Sequence, residues 1–84
     1  MEEKLKIIKE NIEPEMKKMS IVVDSIEFVK ENKYHFLKIV LDKVNGIDMD
    51  TIVEASKIIN PIVDKLDLID QEYILDISSK ERGI

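Results

Sequence analysis

Few side chains in this sequence are of a type that does chemistry, and their spacing argues against most of it. His35 is the lone histidine. A metal centre there would have to borrow Asp42, Asp48 or Asp50, and none of these stands at a ligand spacing from His35. Asp42, Asn45, Asp48 and Asp50 have the oxygen-rich composition of a calcium loop, but the glycine and the closing glutamate are misplaced. Turn and helix-capping roles account for all four. Ser78 and Ser79 have no histidine base near them in sequence, which argues against a nucleophile. Neither G-x-x-x-x-G-K-[ST] nor G-x-G-x-x-G occurs. Asp24 interrupts an apolar run, and a β-bulge or an edge position explains it better than a catalytic acid does. These residues predict a non-enzymatic domain with no cofactor and no metal.

The elements that position these residues centre on Tyr34–Glu54, YHFLKIVLDKVNGIDMDTIVE. From Tyr34 to Leu41 the residue types alternate. His35, Leu37, Ile39 and Leu41 take one face, and Tyr34, Phe36, Lys38 and Val40 take the other, the period of a strand. Asn45-Gly46 ends the strand, since both residues accept positive φ. Asp48 is placed to cap a helix, and Asp50 puts negative charge in its first turn. That helix carries the stripe Ile52, Ala55, Ile59, Val63 and Leu66, with a bend or restart expected at Asn60-Pro61.

Upstream, Met1–Met19 reads as a helix with Leu5, Ile8, Ile12, Met16 and Met19 on one face. Pro14 predicts a kink or a second helix start. Ser20–Lys30 reads as a strand, with a bulge near Asp24-Ser25 turning both Val23 and Ile26 inward. Glu31-Asn32-Lys33 connects it to the next strand as an antiparallel hairpin. Downstream, Asp64–Gln71 is a charged connection and Glu72–Ser78 a last strand, with Tyr73, Leu75 and Ile77 on one face and Ile74, Asp76 and Ser78 on the other.

The composition agrees with one small domain. The 84 residues are 37% charged with net charge −5 and no cysteine. Disulfides and thiolate metal sites are therefore out, which suits a reducing compartment. No apolar run approaches the roughly 20 residues of a membrane span, and the N-terminus lacks a signal-peptide pattern. A net acidic domain is a poor binder of nucleic acid and a better match for a basic protein.

The order helix, strand, strand, helix, strand predicts an α+β fold. It is a two-layer αββαβ sandwich, with both helices on one face of a three-stranded sheet. The other face is then open. Phe36, Lys38 and Val40 project from it, with Tyr34 and Ile74 beside them, as an apolar patch bearing one flexible cation. We read these five as the partner-contact residues. The element order is also that of one type of RNA-binding KH domain, but the GXXG phosphate clamp is absent.

Three segments together resemble the N-terminal domain of the bacterial ribosome maturation factor RimP family. They are Asp24-Ser25-Ile26-Glu27-Phe28-Val29-Lys30, then Leu37-Lys38-Ile39-Val40-Leu41-Asp42-Lys43 with Asn45-Gly46-Ile47, then Tyr73-Ile74-Leu75-Asp76-Ile77-Ser78-Ser79. Ile12-Glu13-Pro14 and Ser56-Lys57 are similar to the family's helices. The resemblance implies a cytoplasmic factor that assists small (30S) ribosomal subunit assembly by binding a basic ribosomal protein, without catalysis. It also implies that residues 1–79 form the N-terminal-like domain. Residues 80–84 would then be a linker stub toward a C-terminal β-barrel domain, itself a partner for the open face. Where the family's turn has Gly-Gly, Asn45-Gly46 stands here. The alternative is a generic protein-interaction domain of an unrelated pathway.

Overall fold

The computed structural model describes residues 1–80. Helix α1 spans Glu2–Lys17, with Glu2 and Glu3 in its first turn and Lys17 in its last, matching the helix dipole. Ile8, Ile12 and Met16 are its buried stripe. The helix continues unbroken through Pro14, and no second helix begins there. Pro14 is exposed and close to the C-terminal end, so its missing N–H forfeits a single bond to the carbonyl four residues back. Ile12 and Met16, on either side of it, are both fully buried.

The end of α1 is closed by Ser20, which takes a left-handed conformation at φ 60°. The Ile21 N–H donates to the Met16 carbonyl at 2.9 Å, and the Ser20 N–H to the Lys17 carbonyl at 2.9 Å. This is the paired bonding of a Schellman closure, and Ile21 and Met16 both belong to the core.

Strands β1 (Val22–Glu31) and β2 (Tyr34–Asp42) form an antiparallel hairpin. Glu31 pairs with Tyr34, so the loop is Asn32-Lys33, one residue shorter than expected, with Asn32 at φ 58°. The pairing shifts between Val23 and Ser25, leaving Asp24 as the extra residue of a bulge. The expected consequence follows: Val23 is buried and Ile26 packs against the core. On β2, Leu37, Ile39 and Leu41 are completely buried.

Asn45 and Gly46 turn the chain at φ 72° and 88°, and the Gly46 N–H donates to the Lys43 carbonyl at 2.9 Å. Asp48 then caps helix α2 (Met49–Leu66), its Oδ1 accepting the Thr51 N–H at 2.8 Å. That bond holds the Asp48 carboxyl below the usual aspartate range. Ala55, Ile59 and Val63 are buried, and the helix again runs through its proline, Pro61, without restarting. Pro61 too is exposed, between buried Ile59 and Val63. The helix reaches Leu66, so the connection is shorter than Asp64–Gln71, and it tucks Ile69 into the core.

Strand β3 (Ile74–Ser79) runs parallel to β2, and the sheet order is β1-β2-β3. α1 packs on β1, α2 on β3, and the helices on each other. The result is the expected α+β sandwich of two layers, with the core between them. Of the expected linker, residues 81–84 lie outside the described residues. Lys80 is described, and its Nζ meets Asp24 Oδ1 at 3.2 Å.

Candidate protein-contact face

The open side of the sheet is ordered into cross-strand rows by the strand registers. Val29, Phe36 and Ile74 stand side by side; next come Glu27, Lys38 and Asp76; then Ser25, Val40 and Ser78. Each row crosses all three strands because directly paired residues project from the same face. Beyond the first row, Glu31 faces Tyr34, which is 60% exposed at the hairpin end. At the other end Val22 is 62% exposed, an apolar residue that the alternation of β2 alone does not reveal.

The five expected contact residues share this face but differ in access. Tyr34 and Ile74 are exposed, whereas Phe36, Lys38 and Val40 are half-buried. Lys38 is ion-paired on this face. Its Nζ donates to Glu31 Oε2 at 2.8 Å. The hydrogen bond to Glu31 is the main cause that raises Lys38 above the ordinary lysine range, and the charges of Glu31, Asp76 and Glu27 add to it against partial desolvation. Register places the Val29–Phe36 pair between Lys38 and Glu31, so the two side chains meet above that row. The cation is thus tied to Glu31 across the row of Val29 and Phe36, and Glu27, Glu31 and Asp76 outnumber it. What the face offers a partner is apolar area within an acidic frame. A cationic surface is attracted to that frame and can compete for Glu31.

The helix-covered side of the sheet holds His35 and Ser79. The His35 ring stacks on Phe28, with centroids 5.3 Å apart and planes 10° apart. Tyr73 meets Phe28 edge-on at 6.2 Å. His35 is therefore a packed aromatic residue. Among the described residues no three His, Asp or Glu are grouped to hold a metal ion. Asp24 is the bulge residue paired to Lys80, Asp48 a cap, and Asn45 a turn residue. Ser79 is buried, and its hydroxyl finds no hydrogen-bond partner among the described residues. Among those residues no helix is long and apolar enough to cross a membrane.

A family model described as the RimP N-terminal domain matches residues 11–80. The match contains the whole sheet, α2 and the second half of α1, and so every row of the open face.

Proposed function

The chain belongs to the RimP N-terminal domain family, and from that premise we propose that it assists small ribosomal subunit assembly by binding a basic ribosomal protein through its open sheet face. It works in the cytoplasm, as a binding module and not as a catalyst. The observation that carries this reading is the row Val29–Phe36–Ile74, apolar and bordered by Glu27, Glu31 and Asp76. Aromatic residues in such settings carry a disproportionate share of binding energy, while a rim of one charge sign selects a partner of the other.

The test is Phe36→Ala in the full-length protein, assayed against free small subunits. The side chain lies outside the fully buried core, so the melt should remain cooperative and close to that of the wild type. Binding should weaken by about 1–3 kcal/mol, roughly five- to 150-fold. Unchanged affinity in a folded variant would remove the face from the reading, and loss of the fold would place Phe36 in the core. A weakened contact with a following domain, with subunit affinity intact, would assign the face to that domain instead.

A further inference from the structure

We propose that the outer edge of β3 takes up an extended, basic segment of a partner protein as an added strand. This goes beyond the reading of the open face, because it uses a different part of the sheet.

The first argument is backbone valence. β3 pairs with β2 alone, and among the described residues no backbone bond reaches its other side. Every second residue of β3 therefore presents an N–H and a C=O outward. The opposite edge of the sheet, β1, is broken by the bulge at Asp24, a device that discourages pairing. β3 has no such irregularity: its register with β2 is continuous from Ile74 to Ser79. It is the better template of the two.

The second argument is shape. A depression lies at each end of β3. One, of about 1050 Å³, is lined by Tyr73, Ile74 and Leu75 together with Tyr34, Asp64 and Glu72. The other, of about 190 Å³, is lined by Ile77 and Ser79 with Met49 and Ile52. A strand laid along the edge sends alternate side chains to one face, and pockets for them set its specificity. The first depression suits a long side chain with a charged tip, and the second a small aliphatic one.

The third argument is charge. From Asp67 to Ser79 the chain carries Asp67, Asp70, Glu72 and Asp76 and no lysine or arginine. Asp64 faces the same depression. Lys33 also lines it, and Lys80, past the end of the strand, is engaged by Asp24. A second copy of this chain would bring the same acids to the edge, and a nucleic-acid backbone would bring phosphates; both are repelled. A basic polypeptide is attracted.

The experiment uses the isotope-labelled full chain in low salt. It is titrated with a blocked hexapeptide of alternating arginine and valine, and separately with its glutamate-valine counterpart. The arginine peptide should shift the amides of Tyr73 and β3 and slow hydrogen exchange at the outward amides of β3. The glutamate peptide should do neither. Asp64→Asn combined with Glu72→Gln should weaken the arginine peptide about fivefold, the scale of two exposed ion pairs, without altering the fold. The proposal is overturned if the shifts fall on Val29, Phe36 and Val40 instead, or if both peptides bind alike. It is overturned equally if the outward amides of β3 are protected before peptide is added, whether by the chain itself or by a second copy at higher protein concentration.

Discussion

Tyr73 is a residue on which three influences agree. Burial is the largest, and the carboxylates of Asp64 and Asp67 follow; all three raise its phenol above the ordinary tyrosine range. The folded state then keeps the proton that the unfolded chain begins to release near pH ~10. The stability this confers is complete below that pH and is lost as pH rises through the folded value. Lys38, raised by Glu31, loses its contribution in the same alkaline direction. Asp48 acts at the opposite end: its lowered carboxyl contributes above the unfolded value of about 3.9 and is lost as pH falls through the folded one. With two tyrosines in the chain, Tyr34→Phe leaves Tyr73 as the only phenol. Its ultraviolet titration should then lie above that of free tyrosine, and Asp64→Asn should bring it down. Titration at the free value would mean that the ring stands in water. The strand face of Tyr73 was legible from alternation alone, as was that of Lys38. Their partners were not. Glu31 reaches Lys38, and Phe28 reaches His35, only through the register of the hairpin, which no single strand specifies.

At the scale of elements, side chains that act on their own backbone were the most legible. Asn45-Gly46 and the Asp48 cap announce themselves because their chemistry is local. The bulge was legible because Asp24 breaks an apolar phase that must be restored at Ile26. At the prolines the restart alternative failed: each helix runs on through its proline, with Ile12 and Met16, then Ile59 and Val63, buried on either side. The left-handed residues Ser20 and Asp67 were hidden, since neither type demands positive φ. Asp67 is the more unusual. It ends α2 at φ 46° and ψ 48°, where glycine is favoured, and it puts a negative charge at the negative end of the dipole. Asp67→Gly should therefore stabilise the domain by about 0.5–1 kcal/mol, seen as a Tm a few degrees higher. A lower Tm would show that the carboxylate makes a contact that outweighs both penalties.

For the molecule as a whole, the two layers were legible because two amphipathic helices and alternating strands admit few other arrangements. Sheet order was not. A parallel β3 beside β2 depends on where α2 crosses, and that is decided by packing on both sides of β2 rather than by any local pattern. The core also draws on Ile21, Ile47 and Ile69, residues outside the regular elements where periodicity has nothing to repeat. Such a core has little to spare. Ile39 shows this best: it is fully buried at the centre of the sheet, paired with Ile26 on one side and Ile77 on the other. Ile39→Ala should cost about 2–5 kcal/mol, against a total of roughly 4–12 kcal/mol for a chain of this length. Denaturant melts should therefore show a large fall in midpoint, or a chain already partly unfolded at room temperature. Val40→Ala, one residue along and on the opposite face, removes a half-buried side chain and should move the midpoint far less. Equal losses at the two positions would mean that the open face is packed as tightly as the core, and that the sheet has a second cover.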